Sequence, residues 1–374
     1  MSPPIRVAMT VEQCWQPVPG GSGSYIVELA AALATSTDID VVGLAARHRS
    51  DAAPVLDPPM PVRRARLPRT LLYETWNRLR RPRAESVTGA VDLVHATTWA
   101  VPGTRAPLVV TVHDLAFLRE PDHFTARGNT FFRRALDLTR REAIRVIVPS
   151  VATRDDCLMH GIEAERVRVI PHGVRAFPTT ESQRAAGAAR LGVTRPYVLW
   201  CGTLEPRKNV PRLVEAYARA VREHGLDLDL VLVGPTGWGG AEDEIRRVVR
   251  LLPEGTVHLP GRLDDLDLQC AYAGATVFAF PSLWEGFGMP VLEAMAHGVP
   301  VVTSAGSAMA EFVGSGGLLV DPHDVGAMAE ALVTAAGARR SDLARAAREI
   351  AVQMTWGASA RAHAEVYREA VASD

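Results

Sequence analysis

The chain has 374 residues, with 41 basic against 42 acidic side chains, a formal charge of −1, 47% hydrophobic and 22% charged residues. That length favours two domains, each with its own core, and the composition is that of an ordinary soluble globular enzyme. The charge balance gives no footprint for nucleic acid, no run approaches ~18 unbroken apolar residues, and the first residues lack a basic segment with a long apolar run behind it, so neither a membrane span nor a signal peptide is expected.

Short apolar runs alternate with longer helical patterns. In the first half, residues 5–9, 41–44, 92–95, 108–113 and 146–149 read as buried strands, with helical patterns such as 25–33 and 131–141 between them. The polar, alanine-rich stretch 176–195 (AFPTTESQRAAGAARLGVTR) reads as a boundary, part linker and part short helix. Beyond it the rhythm restarts with strands at 197–201, 228–233, 257–259, 277–280, 299–303 and 318–320. Unbroken β-branched runs suit parallel strands covered on both faces. Strand–helix alternation then predicts an α/β chain of two Rossmann-like, doubly wound domains, 1–175 and 196–355. Ligands of open α/β sheets bind beyond the carboxyl ends of the strands, so the expected site is a cleft where two such domains face each other. The four cysteines, Cys14, Cys157, Cys201 and Cys270, are widely spaced and form no C-x-x-C pair. They suggest neither a disulfide framework nor a zinc site, and they fit a reducing cytoplasm.

The segment 281–302, PSLWEGFGMPVLEAMAHGVPVV, carries the strongest chemistry. A strand runs into a glycine-rich turn, and a helix begins near Pro290, a residue suited to the first helical position. Such a helix end offers backbone N–H donors and a positive dipole to phosphate. Gly286 and Gly288 let the backbone approach a ligand closely. Glu285 precedes the helix and Glu293 is expected in its first turn, where carboxylates can accept hydrogen bonds from vicinal hydroxyls. The bland alternative is a helix start with an acidic first turn.

The second segment is WCGTLEPRKN, 200–209. Of the 41 basic residues only one is a lysine, Lys208, and it stands here beside Arg207. Arginine offers a planar fork and lysine a point charge, and both suit a diphosphate. Asn209 reads as an N-cap with Pro211 just inside the helix. The third segment, VPGGSGSY at 18–25, reads as a glycine-rich strand-to-helix turn that lacks the full dinucleotide fingerprint. The fourth, TVHDLAF at 111–117, sets His113 and Asp114 at a strand end, where a histidine is more often structural than catalytic.

Taken together, GGSGSY, TVHDLAF, VIVPS, VIPHGV, WCGTLEPRKN, LVG, EGFGMPVLE and LLVDP resemble, in order and over almost the whole chain, family four of the retaining glycosyltransferases, with the GT-B fold. The likeness is greatest to the mannosyltransferase-like branch that builds bacterial surface polysaccharides. The resemblance implies a nucleotide-sugar donor, with GDP-mannose first and a UDP-hexose second, a glycan, lipid-linked or small-molecule acceptor, and neither cofactor nor metal. It implies that Glu285 contacts the transferred sugar and Glu293 the ribose. Arg207 and Lys208 neutralise the leaving diphosphate, and backbone groups of Phe287, Gly288 and Met289 hold sugar and phosphate. Gly20, Gly21 and Gly202 bring backbone to the donor, and His113 lies beside the transferred sugar. The C-terminal helix, about 356–374, is expected to return to the first domain.

Weaker signals remain. His172 stands where the broader family commonly has asparagine, and a hinge or packing role is expected. The basic stretch 63–83, interleaved with Leu, Tyr and Trp, could meet an anionic inner-membrane surface or a lipid-linked acceptor, or simply pack Leu72 and Trp76 inward. No D-x-D of the metal-dependent type lies near a strand end, and 264–267 (DDLD) reads as a helix start. The competing readings are a non-catalytic nucleotide-sugar binder, an epimerase or phosphorylase on the same fold, and, least favoured, a NAD-dependent enzyme.

Overall fold

The structure is a computed structural model that describes residues 3–49, 52–175, 177–235, 237, 245, 247–250, 252–253 and 255–373. Ala176, first residue of the stretch expected to form the boundary, lies outside the described residues. The chain divides into two units, Met1–Gly173 with Trp356–Asp374, and Val174–Thr355.

The first unit is built on a parallel sheet of β1 (Ile5–Thr10), β2 (Ile39–Ala45), β3 (Val62–Arg64), β4 (Leu93–Ala96), β5 (Leu108–Thr111), β6 (Arg145–Val148) and β7 (Val167–Val169), ordered β3-β2-β1-β4-β5-β6-β7. The central strands are the apolar runs of the sequence: Val7, Ala8, Met9, Val94 and Val109 are wholly buried. The short outer strands β3 and β7 (VRR and VRV) were not expected. An edge strand needs only one partner and tolerates arginine, so it leaves no unbroken apolar run to read. Helix α1 (Gly20–Leu33) comes after β1 and a 3-10 turn at Glu12–Trp15. Gly20 and Gly21 are therefore the first residues of a helix, rather than a turn leading directly from the strand. Helix α2 (Arg69–Leu79) turns Leu72 and Trp76 into the core. Helix α3 (Ala126–Glu142) is capped by Thr125, whose hydroxyl accepts from the Gly128 amide at 3.1 Å.

The second unit begins with α4 (Glu181–Leu191), started by a capping box between Thr180 and Gln183 and stopped by left-handed Gly192. A Cβ at Gly187 would come within 2.7 Å of Cys270, so this helix is packed on the second unit. Most of the expected linker is thus a helix docked through a glycine. The parallel sheet comprises β8 (Tyr197–Cys201), β9 (Asp229–Val233), β10 (Val257–Gly261), β11 (Val277–Phe280), β12 (Val301–Ser304) and β13 (Gly317–Val320), ordered β10-β9-β8-β11-β12-β13. Its helices include α5 (Val210–His224), α6 (Asp265–Gly274) and α7 (Met289–Ala296). Asp264 caps α6 by accepting from the Asp267 amide at 2.8 Å, as the DDLD pattern predicts. Trp200, Tyr217, Tyr272, Phe278 and Phe280 fill the core. Helix α8 (Trp356–Ala372) ends the chain and packs along α1 in the first unit.

Both sheets are therefore Rossmann-like, and in each the strand order reverses at one place, between β1 and β4 and between β8 and β11. Such a reversal sends neighbouring strands' outgoing loops apart and opens a crevice at their carboxyl ends.

Candidate active site

In the second unit the crevice is lined by the loops that leave β8 and β11. Lys208 closes a 3-10 turn, Pro206–Lys208, after β8, and Glu285 lies in the loop after β11. Because the two strands are neighbours, these residues meet: Lys208 Nζ donates to Glu285 Oε1 at 2.6 Å, and Arg207 lies 2.9 Å from Glu285 Oε2. Arg207 also reaches Glu205 at 2.7 Å and donates to the Trp284 carbonyl at 3.2 Å. Lys208 is only 8% exposed and Glu285 7%, and the Arg207 side chain is 24% exposed, so the pair of cations is no fully solvated surface feature. Burial would raise the Glu285 carboxyl, but the charges of Arg207 and Lys208, with their hydrogen bonds, hold it down at about 2. Burial and the neighbouring Arg207 push the Lys208 ammonium down, against the pull of Glu285. Lys208 Nζ also sits 4.8 Å over the Phe280 ring.

Asn209 holds the N-cap position of α5 but does not cap it. Its backbone is left-handed (φ 59°), and its side chain donates to the carbonyls of Pro281 (3.0 Å) and Pro322 (2.7 Å) while accepting from Arg212. It therefore ties the Arg207–Lys208 turn to the loop after β11. Gly202 packs backbone to backbone on the loop after β9: a Cβ at Gly234 would lie 1.7 Å from the Gly202 carbonyl oxygen.

Helix α7 starts at Met289, with Gly288 before it at φ 95°. Glu293 is thus the fifth residue of α7, in its second turn and not its first. It accepts from the Tyr272 hydroxyl at 2.8 Å. Burial, with the charge of Glu293 adding to it, raises the Cys201 thiol to about 12. The Phe287 ring is buried and stacks on Phe312 at 5.0 Å.

The first unit carries the other residues singled out from sequence. His113 Nε2 lies 3.0 Å from the Thr97 carbonyl, so it carries the proton and Nδ1 is an acceptor. Burial lowers its pKa and keeps the ring neutral. Asp114 braces its own loop by accepting from the Ala116 amide at 3.0 Å. Tyr25, on α1, meets the His113 ring edge-on at 4.9 Å. Behind it runs a buried chain whose protons are all assigned by one carbonyl. His363 Nδ1 donates to the Ser359 carbonyl, leaving Nε2 to accept from Tyr25; Tyr25 accepts from Thr111, Thr111 from His95 Nε2, and His95 Nδ1 from Tyr367. This chain holds α8 against β4, β5 and α1. His172 stacks on Trp356 at 5.8 Å, a packing role. A 590 Å³ cavity beside His113 is lined by Gln13, Ser22, Tyr73, Trp99 and Asp114 among others.

Residues 19–176 match the family model Glycosyltransferase Family 4, and residues 195–337 match Glycosyl transferases group 1. D-inositol 3-phosphate glycosyltransferase of Kineococcus radiotolerans is 32% identical over 401 aligned residues, covering 94% of this chain and 91% of that protein. The chain belongs to family 4 of the glycosyltransferases. The transferase is also 30% identical to O-antigen chain mannosyltransferase B of Escherichia coli over 249 residues, but that match spans only 63% of each protein. Anabaena HepE, solved in complex with UDP and glucose, shares the fold with a TM-score of 0.75 at 22% identity, covering 98% of this chain and all of that one. The enzyme thus transfers a sugar from a nucleotide sugar, on a GT-B frame.

Sequence patterns singled out Arg207, Lys208, Glu285 and Glu293, and the structure gathers these in the second unit, with Gly202, Phe287, Gly288 and Met289. His113, Gly20 and Gly21 belong to the first unit. Sequence patterns missed Glu205, Tyr272, Tyr25, Thr97 and Trp99. Glu205 had a signal, standing two residues before Arg207. The others sit on ordinary helix, strand and loop patterns and gain their contacts only through elements distant in sequence. Among the described residues no group of three or more His, Cys, Asp or Glu is placed to hold a metal ion, and no helix is long and apolar enough to cross a membrane.

Proposed function

We propose that the transferase moves a hexosyl residue, with retention and without a metal, from a nucleoside diphosphate sugar to a hydroxyl acceptor. The Arg207–Glu285–Lys208 cluster at the β8–β11 reversal carries this reading. Two cations there can take up the charge that the diphosphate gains as the glycosidic bond breaks, together with the N-terminal end of α7. Glu285 is held ionised between them and turned toward cations, which makes it a positioning and hydroxyl-binding group and no free covalent nucleophile. Substitution on one face through an oxocarbenium-like state, which needs no covalent nucleophile, accounts for retention. Glu293 holds the ribose, and backbone groups of Gly202, Phe287, Gly288 and Met289 hold sugar and phosphate. Neutral His113, with its Nδ1 an acceptor, receives a hydrogen bond from the transferred sugar, and Gly20 and Gly21 bring the start of α1 to the donor.

GDP-mannose is the first candidate donor, supported by the likeness to the E. coli mannosyltransferase, and a UDP-hexose is the second. Thermal stabilisation by GDP, UDP and ADP and by their sugars selects the base, because a ligand that binds only the native state raises stability by mass action. Proton NMR of the earliest product then reads the anomer. An α-linked product from an α-linked donor is expected, and a β-linked one overturns the reading. Stabilisation without any release of nucleotide in the presence of acceptors would point instead to a non-catalytic binder.

A further inference from the structure

Two polar contacts join α6 to α7 within the second unit. Gln269 and Tyr272 stand i, i+3 on α6, and Glu293 and His297 stand i, i+4 across the end of α7, so each pair shares one helix side. His297 Nε2 donates to Gln269 Oε1 at 2.6 Å, and the Tyr272 hydroxyl donates to Glu293 Oε2 at 2.8 Å. The Tyr272 ring is wholly buried, lies nearly parallel to the His297 ring at 6.1 Å and meets Phe278 of β11 at 5.5 Å, so its hydroxyl has a fixed direction. Burial first, then the neighbouring Cys201 and Glu293, raise the phenol well above its ordinary 10, so it keeps its proton and is the donor toward Glu293. Cys201 is the last residue of β8, the strand from which the Arg207–Lys208 turn departs. Packing alone does not call for this hydroxyl, because Phe278 and Phe280 fill the same core as plain rings.

We infer that Tyr272 is a positioning residue for the donor: its hydroxyl fixes the orientation of the Glu293 carboxylate before a nucleotide arrives, and so sets how strongly the enzyme prefers a ribonucleotide to a nucleotide without ribose hydroxyls. This rests on the proposed role of Glu293 as the ribose-binding group and names the residue that makes that group effective. A glutamate side chain is flexible, and holding it in advance removes an ordering cost that binding would otherwise meet. The carboxylate then accepts from the vicinal hydroxyls in a set geometry, and such charge-assisted bonds are the strong ones. Acting through Glu293 alone, Tyr272 contributes to donor binding and not to the breaking of the glycosidic bond.

The test is calorimetric titration of the wild type, Tyr272→Phe, Glu293→Gln and the double variant with GDP, UDP and ADP, each beside its 2′,3′-dideoxy counterpart. The wild type is expected to bind its preferred ribonucleotide about tenfold or more tighter than the dideoxy form, and Glu293→Gln to lose most of that difference. Tyr272→Phe removes a single oxygen atom. It is expected to weaken the ribonucleotide by about threefold to tenfold, while the dideoxy form binds as it does to the wild type and so shows the site to be folded. The double variant should bind no worse than Glu293→Gln alone, because both changes break one chain of contacts. In turnover, Tyr272→Phe should raise the donor KM at unchanged kcat. Equal weakening of both nucleotide forms would make Tyr272 a packing residue and overturns the inference. A Tyr272→Phe protein with the full ribose preference overturns it too. If Glu293→Gln loses that preference while Tyr272→Phe keeps it, the ribose role of Glu293 stands and this inference alone fails. If Glu293→Gln also keeps it, or the wild type lacks it, the ribose role falls as well.

Discussion

The Lys208 ammonium lies 2.6 Å from Oε1 of Glu285, a contact between two buried residues 77 positions apart, and the other oxygen of Glu285 is paired with Arg207. Removing one member leaves a partly uncompensated buried charge, whereas removing both leaves a neutral site. Lys208→Met should therefore lower the Tm as well as turnover, the latter by at least tenfold on the usual ~10²–10³ scale for a lost electrostatic contact. Arg207→Ala should lower turnover similarly with a smaller effect on Tm, because that side chain is only partly buried. The double variant Lys208→Met/Glu285→Gln should be less destabilised than the two single losses summed. Thermal unfolding of the wild type, Lys208→Met, Glu285→Gln and the double variant decides it, and strict additivity would remove the coupling.

Glu293 and Glu285 should separate kinetically. Glu293 is held by Tyr272 in the second turn of α7, and the ribose it is proposed to hold is remote from the bond being broken. Such contacts are similar in ground and transition states, so Glu293→Gln should mainly raise the donor KM. Glu285→Gln should also lower kcat. Steady-state kinetics at saturating acceptor checks both, and a fall in kcat for Glu293→Gln at unchanged donor KM would show the roles to be misassigned.

Stability should fall on mild acidification through the buried histidines. Burial chiefly, with the neighbouring His113 adding and the bond to Ser359 opposing, lowers His363 from 6.5 to about 4. His95 and His172 are lowered well below 6.5, and His113 is lowered too, mainly by burial. The unfolded chain therefore binds more protons below 6.5. The contribution of His363 is fully present above that value and is lost as pH falls towards 4, on the order of 3 kcal/mol across the window. His363→Gln should be less stable at pH 7.5 and show a shallower fall in Tm between pH 6.5 and 4.5. A profile parallel to wild type would contradict the assignment.

Gly288 should tolerate no side chain. Its φ of 95° is unfavourable for L residues, and a Cβ would meet Met309 Cγ at 2.3 Å. Gly288→Ala is expected to cost about 1–3 kcal/mol and to reduce activity by shifting the start of α7. Adding Met309→Ala relieves the clash but not the backbone strain, so recovery of Tm should be partial. Full recovery would mean that the positive φ contributes nothing.

The central strands could be read from sequence because a strand buried on both faces must be an unbroken apolar run, and YVLWC, VFAF and VVTS have no competing pattern. The loops after them were readable for the same reason: charge and glycine at a strand end have few uses in a core. Edge strands β3 and β7 escaped because one exposed face admits arginine, and the helix at Glu181–Leu191 was taken partly for linker because its packing contact is a glycine, which carries no hydrophobic signal. Sequence could place two cations in one loop and a glutamate in another. It could not pair them, because the pairing depends on β11 lying beside β8, a long-range neighbour relation set by the crossover of the whole sheet. In the same way, Tyr25, Thr111, His95 and His363 are unremarkable in their own segments. They form one proton-ordered chain only where α1, β5, β4 and α8 converge, and burial there fixes each hydrogen-bond role because none of them can turn to water instead.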